Sequence, residues 1–383
     1  MAMGALSGVK VVEFAGIGPG PFCCMLLADM GAEVIRVDRA MNVGNDMYEP
    51  KYNNLLRGRK NLALDLKHPD GVEAALKLCD KADIIIEGFR PGVMERLGLG
   101  PDVVFARNKK VVFGRMTGWG QDGPIAKTPG HDINYIALTG ALYAIGTKEK
   151  GPVPPLNLVG DFGGGALYMA MGALAAYIEA QKSGEGQVVD CSMVEGATSL
   201  MSSVYGMLAD GRYVEEREEN RLDGGCHHYN VYETSDGEHI CIGSNEPQFY
   251  AEMLKAVGLD QANLPPQADR DAWPEMTEKL AAIFKTKTRE EWTDIMEQRE
   301  ICYAPVLRPS EAIKHHHNVA RDTFIEVDGF MQPGPAPKFS RTESKTPMGC
   351  AYAGEHTEES LAEWGFGASD IAALTSSGAA KQR

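Results

Sequence analysis

An α/β fold is predicted for this chain: a Rossmann-like large domain on a parallel sheet, joined to a smaller α+β domain. Three observations predict it. Short β-branched runs alternate with helical stretches through residues 9–192, the pattern that parallel strands linked by helical crossovers leave in a sequence. The first run ends in a turn rich in glycine and proline, Gly16-Ile17-Gly18-Pro19-Gly20-Pro21, where the ligand-facing loop of such a sheet belongs. Beyond residue 225 the alternation gives way to a hairpin pattern followed by amphipathic helices.

Taken in order, residues 9–14 (VKVVEF) form the first strand, 22–30 a helix closed by Gly31, and 33–38 (EVIRVD) a second strand that completes a β-α-β unit. A helix is expected over 70–79, then strands at 82–89 (ADIIIEGF), 110–116 (KVVFGRM) and 187–192 (QVVDCS). Residues 165–181 and 193–208, rich in Ala, Met and Leu, read as two core-facing helices. The charged stretch 214–221 (VEEREENR) reads as a solvated connector. A hairpin is expected from 229–232 and 239–242, turning at Ser235-Asp236-Gly237, with helices at 248–257, 273–284 and 289–299. Residues 333–349 read as an extended strap and 358–366 as a terminal helix returning to the first domain. The expected boundaries are 1–215 for the large domain, 225–325 for the small one and 326–383 for the return.

Of 383 residues, 44% are hydrophobic and 24% charged, enough apolar surface to exclude an unstructured chain. The 53 acidic residues outweigh 38 Lys and Arg, for a net charge of −15. Such a chain is ill suited to neutralising phosphates along nucleic acid or an anionic membrane, so neither is expected as a partner. An anionic ligand must find a local cluster of cations. No apolar run of membrane-spanning length is read, and the start lacks a basic n-region with a long apolar h-region; a cytoplasmic location is expected. The eight cysteines show no C-x-x-C pair and read as buried free thiols.

Two short motifs lack their companions. The turn at 16–21 does not spell G-x-G-x-x-G although Asp38 follows at the end of the second strand, and Pro19 and Pro21 remove N–H groups that a pyrophosphate cradle needs. Asp161-Phe162-Gly163 spells a kinase triplet without the other kinase motifs. No metal is expected. His315-His316-His317 has no carboxylate or cysteine at ligand spacing and reads as a surface or cap feature, and His227-His228 beside Cys226 has no further ligand to name. The stretch Gly130-His131-Asp132-Ile133-Asn134-Tyr135 gathers polar side chains in apolar surroundings, and composition alone favours a structural histidine there. Three successive glycines follow Asp161-Phe162, costly in a helix, so the backbone there approaches something closely. With Asp161 at the front of a helix, free N–H groups would meet developing negative charge.

The runs RKNLALDLK (59–67), EGFRPG (87–92), GHDINY (130–135), PLNLVGDFGGG (155–165), DCSMVEG (190–196), EPQFY (246–250) and GEHTE (354–358), with the opening at 8–39, carry a family resemblance over essentially the whole chain. The sequence resembles the α-methylacyl-CoA racemases of the family III CoA-transferase superfamily. That resemblance implies a homodimer whose two chains interlock like links, and an acyl-CoA thioester as substrate, with coenzyme A part of the substrate and no separate cofactor. It implies that His131 and Asp161 flank the α-carbon as two bases, inverting it by 1,1-proton transfer through an enolate, while Glu246 holds His131, in cis or from the partner chain. Asp132, Asn134 and Tyr229 are implied as supporting residues. Arg39, Arg90 and the segment Ala63, Leu64, Asp65 and Leu66 are assigned to the coenzyme, with Arg59 and Lys60 as further candidates, and Gly130 and Tyr135 to the coenzyme or the rest of the substrate. One departure stands out. Where Gly-Gly-Ala-Pro-Phe-Tyr is expected, this chain reads Gly224-Gly225-Cys226-His227-His228-Tyr229, and the extra imidazoles would alter substrate choice or add an acid.

Two rival functions bear on the same residues. A CoA-transferase of the superfamily would use Asp161 as nucleophile through a mixed anhydride, though His131 with Glu246 favours the racemase. A carrier with a dead site is disfavoured by the complete His/Asp/Glu set.

Overall fold

The computed structural model describes residues 4–46, 48–344 and 347–383. The chain divides into two compact units, one of residues 1–139, 156–201 and 319–383, the other of 140–155 and 202–318. These limits differ from 215, 225 and 325: residues 140–155 and 202–215 belong with the second unit.

The first unit is built on a parallel sheet of β1 (Lys10–Phe14), β2 (Glu33–Arg39), β3 (Lys60–Leu64), β4 (Ile84–Glu87), β5 (Val112–Thr117) and β6 (Val188–Ser192), in the spatial order β3-β2-β1-β4-β5-β6. Neighbours alternate between its faces. Val11, Ile84 and Ile86 enter one core; Val12 and Ile85 enter the other. A sheet apolar on both faces needs cover on both. Helix α1 (Pro19–Asp29) contributes Cys23, Cys24 and Leu27 to the first core. Helix α2 (Pro69–Cys79) packs on the opposite core together with Leu361, Trp364 and Leu374 from the returning chain. That return ends in helices Thr357–Glu363 and Ala368–Ser376. The strap expected over 333–349 has no helix or strand among its described residues after Pro333, and its residues 345 and 346 lie outside them.

Two expectations for the long apolar helices change. The first begins earlier, as a π-helical run Leu158–Leu167, and continues as an α-helix, α3 (Tyr168–Ser183). Together, Leu158–Ser183 span 26 residues, and an 18-residue window among them has a mean hydropathy of 1.3, long and apolar enough to cross a membrane by length and composition, where no apolar run of that length was read. Met169, Ala170, Ala173 and Ala176 of α3 are nevertheless packed into the sheet's core, the setting of a core helix. The second apolar helix is broken at Met201 into α4 (Met193–Leu200) and α5 (Ser202–Ala209), and α5 buries none of its residues within the chain.

The second unit carries an antiparallel sheet of β7 (Tyr229–Glu233), β8 (His239–Gly243) and β9 (Tyr303–Val306), with β8 central. Helices α6 (Pro247–Ala256), α7 (Trp273–Phe284) and α8 (Arg289–Met296) supply Met253, Leu280, Phe284, Trp292 and Met296 to its core. His227 and His228, expected as extra acids near a site, lie in this interior at 1% and 3% exposure. His227 Nε2 is 2.9 Å from the Tyr250 hydroxyl, and the His228 ring meets Trp273 edge-on at 6.0 Å. Burial, with mutual repulsion for His227 and the charge of Arg221 for His228, brings both down to about 4. They are therefore neutral packing groups at neutral pH.

A pH dependence follows with a definite sign. Between about 4 and the ordinary 6.5 the unfolded chain binds protons that these folded imidazoles refuse, so their contribution is complete above 6.5 and is lost as pH falls. Stability is expected to drop on the order of 2 kcal/mol per imidazole, about 4 kcal/mol for the pair, by about pH 5. His228→Phe should flatten that loss in urea titrations run at both pH values; an unchanged slope would assign the acid lability elsewhere.

Candidate active site

In open parallel sheets ligands bind outside the carboxyl ends of the strands, where the strand order reverses. Here that point lies between β1 and β4. A pocket of about 530 Å³ opens there, lined by residues 16–21 after β1, 87–91 after β4 and 116–119 after β5, with Gly130, His131, Tyr135, Asn157 and Asp161.

Asp161 sits in the π-helical run. Its Oδ2 accepts from Asn157 Nδ2 at 3.1 Å, and its backbone N–H donates to Asp132 Oδ2 at 2.7 Å. The N–H groups expected to be free are thus engaged, Phe162 N–H also being taken by the Asn157 carbonyl at 3.3 Å. Burial raises the Asp161 carboxyl above its ordinary value; Asn157 opposes this, Asp132 adds to it, and His131 opposes it. The result is a stronger base than a solvated aspartate. Gly18, with φ of +66°, abuts the same group: a Cβ there would lie 3.0 Å from Asp161 Oδ2. The glycine run after Phe162 has a separate cause. A Cβ on Gly164 would lie 2.5 Å from Ala197 N, so the close approach is to the backbone of α4.

His131 precedes the short helix Asp132–Ala137, its N–H donating to Asn134 Oδ1 at 3.0 Å. Tyr135 is buried, donates its hydroxyl to the Gly130 carbonyl and meets Trp119 edge-on at 4.8 Å. Asn134 and Tyr135 therefore hold the N–H and the C=O of the one peptide group that leads into His131. Asp132, buried, ties this helix to Asp161. The spacing of GHDINY places each of these groups on one turn, and one hydrogen bond joins that turn to the second motif.

A second pocket, of about 380 Å³, lies at the ends of β2 and β3, lined by Asp38, Arg39, Leu64, Asp65, Leu66 and Lys67, with Phe89 shared between both pockets. Arg90 lines the first. Ala63 lines neither; its N–H donates to Thr357 Oγ1 at 3.0 Å and its carbonyl accepts from Lys381 N–H at 3.0 Å. Arg59 and Lys60 are not available either. Arg59, 1% exposed, is bound to Glu13 at 2.6 Å, and Lys60 is held by Glu359 and Glu363 at 2.7 and 2.6 Å. Glu246, exposed and capping α6, and Tyr229, exposed at the start of β7, belong to the second unit.

The sequence matches the family described as CoA-transferase family III over residues 6–357. The chain belongs to CoA-transferase family III. It is 46% identical to alpha-methylacyl-CoA racemase of Mus musculus over 374 residues, covering 97% of this chain and 96% of that protein. With the Homo sapiens protein of the same name it is 42% identical over 378 residues, again 97% and 96%. A CAIB/BAIF family protein from Brucella suis shares the fold, with a TM-score of 0.83 at 21% identity over 94% of this chain and 100% of that one.

Within this family III chain, sequence reasoning passed over three residues that shape the pockets. Lys67 adds a cation beside Arg39, which matters in a protein of net charge −15. Phe89 forms the wall between the pockets. Glu87 holds that wall, accepting from Phe89 N–H at 2.7 Å and from Arg115 Nε at 2.9 Å; burial pushes its carboxyl up to about 7, against the Phe89 hydrogen bond and Arg115. An isolated acidic residue at a strand end gives no sign of this, because its partner Arg115 lies on the next strand.

Proposed function

We propose that this chain is a racemase or epimerase that inverts the α-carbon of 2-methylacyl-CoA thioesters by 1,1-proton transfer through an enolate. The observation that carries the reading is the placement of His131 and Asp161 on the walls of one pocket at the sheet's switch point, in a chain 46% identical to a racemase along nearly its whole length. Inversion needs one group to remove the α-proton and another to deliver one to the opposite face. His131 and Asp161 take those roles, exchanging them with the configuration of the substrate, and the raised Asp161 carboxyl suits a base that must also act as an acid. The enolate oxygen needs donors, and those around Asp161 are used. The first turn of α1 lines the same pocket; Pro19 and Pro21 carry no N–H and the Phe22 N–H is taken by the Gly18 carbonyl at 3.2 Å, which leaves the Gly20 N–H, without an intrahelical acceptor, and the helix dipole to meet that charge. Arg39, Lys67 and Arg90 bind the coenzyme phosphates, with the thioester passing Phe89 between the pockets.

Glu246 supports the His131 imidazole in this reading, from the partner chain of an interlocked homodimer. Leu167, Met171 and Ile178 support it too: they lie on one face of the long helix and are 51%, 60% and 55% exposed in the single chain, an apolar stripe that needs cover.

Incubating the protein with (R)-2-methylacyl-CoA in deuterated water tests the function. Deuterium at the α-carbon with loss of configuration is expected. Unexchanged substrate, with CoA passed to an added carboxylate, would instead make Asp161 a nucleophile.

A further inference from the structure

The triple histidine left aside as a surface feature acquires a carboxylate in three dimensions. His315 Nε2 lies 3.4 Å from Glu297 Oε1, and His316 Nε2 lies 3.7 Å from Glu297 Oε2. Ligand atoms of the three residues all fall within 4.8 Å of one another. We propose that Glu297, His315 and His316 form a binding site for a divalent transition-metal ion of the zinc, nickel or copper type.

The geometry favours a metal over a pair of ion pairs. In a tetrahedral site with metal–ligand bonds of about 2.0–2.1 Å the donor atoms sit roughly 3.3 Å apart, close to the carboxylate-to-imidazole separations here. The two rings lie nearly stacked, centroids 4.4 Å apart at 32°. Both rings must share the one carboxylate of Glu297, each facing a different oxygen of it. A divalent cation instead accepts lone pairs from both neutral rings and from the carboxylate, with water completing its shell. An imidazole and carboxylate donor set suits borderline ions rather than calcium or magnesium.

The scaffold is also built before any ion arrives. Glu297 ends α8, whose other end is fixed by Arg289 to Glu311 at 2.5 Å. Backbone bonds Lys314 N–H to Glu311 O at 2.9 Å and His315 N–H to Ala312 O at 3.3 Å shape the turn that presents the histidines. Asn318 Nδ2, donating to Ala312 O at 2.9 Å, closes it from the far side. Adjacent residues converge because a short helix, His316–Ala320, begins between them. A bound ion would clip the end of α8 to this turn, within the second unit and apart from His131 and Asp161 in the first.

The test uses the full-length chain without an affinity tag, stripped with chelator and titrated calorimetrically with Zn²⁺ near neutral pH. One equivalent per chain is expected to bind at this site. His315→Ala, His316→Ala and Glu297→Gln should each weaken that binding at least about tenfold, while His317→Ala leaves it unchanged. Zinc should raise the thermal unfolding midpoint of the wild type and of His317→Ala, and not of His315→Ala. Absence of saturable binding overturns the proposal. So does an equal loss in His317→Ala and His316→Ala, or an unaltered affinity in Glu297→Gln, since either result describes loose chelation by a histidine string.

Discussion

Asp161→Asn is expected to abolish net inversion of a 2-methylacyl-CoA, lowering its rate by about 10²–10⁴-fold, while leaving CoA-thioester affinity within several-fold. The substitution is chosen for what it preserves. The Asp161 N–H still donates to Asp132, and the side-chain oxygen still faces Asn157, so only the basic carboxylate is removed. Binding survives because two of the three cations assigned to the coenzyme, Arg39 and Lys67, line the other pocket, and the third, Arg90, is not altered. His131→Ala should give the same loss of inversion. The two variants are expected to differ in exchange: each retains the base that the other lacks, so residual deuterium incorporation from solvent should be confined to substrate of one configuration, opposite in the two. Chiral analysis of product recovered from deuterated water reads both quantities. Wild-type inversion by either variant removes that residue from the reaction, and equal residual exchange from both configurations would place a third base in the pocket.

Five of the six strands of the parallel sheet were legible because they are short β-branched runs separated by helical spacing; β3 was missed, since KNLAL holds no β-branched residue, and the observed strand order puts the pocket after β1 and β4. What escaped was governed by partners distant in sequence. The stretch 193–208 holds no proline, and the Ser202-Ser203 pair after Met201 does not by itself end a helix, so the break where the chain passes from one unit to the other was not read. The strand β9 was missed because its pairing with β8 joins residues some sixty positions apart: Cys241 opposes Ala304. The π-helical run was read as ordinary helix, since its glycines announce close approach but not to what. GHDINY and the Asp161 motif were each visible, yet the hydrogen bond that makes them one site joins residues 132 and 161. Glu297 stands outside any spacing rule for His315 and His316, and Arg59 read as a cation available to the coenzyme because its counter-charge is 46 residues away.

That counter-charge carries the largest expected effect on stability. Glu13, 0% exposed in the middle of β1, binds Arg36 at 2.5 Å and Arg59 at 2.6 Å. Replacing it by Gln keeps the shape but leaves two buried guanidinium groups sharing no central carboxylate. Removing one partner of a buried pair costs about 3–5 kcal/mol, chiefly through the charge left behind, and Glu13→Gln is expected to fall in that range by urea unfolding. Arg36 retains a second acid, Asp38 at 3.5 Å, whereas the Arg59 hydrogen bonds that remain include only a carbonyl; Arg59 is therefore where the cost concentrates. The consequence reaches the reaction. Arg36 also donates to Gly16 O at 3.2 Å and Arg59 to Pro21 O at 3.1 Å, the two ends of the turn that presses Gly18 against Asp161. Glu13 thus sets, through two arginines, the backbone that bounds the base and carries the Gly20 N–H at the start of α1. Glu13→Gln should lower kcat for α-proton exchange more than it changes KM, even at temperatures where the variant is fully folded. A stability loss below about 1 kcal/mol would show that Asp38 and backbone carbonyls suffice to hold both arginines, and an unchanged kcat in a destabilised variant would separate this network from the geometry of the site.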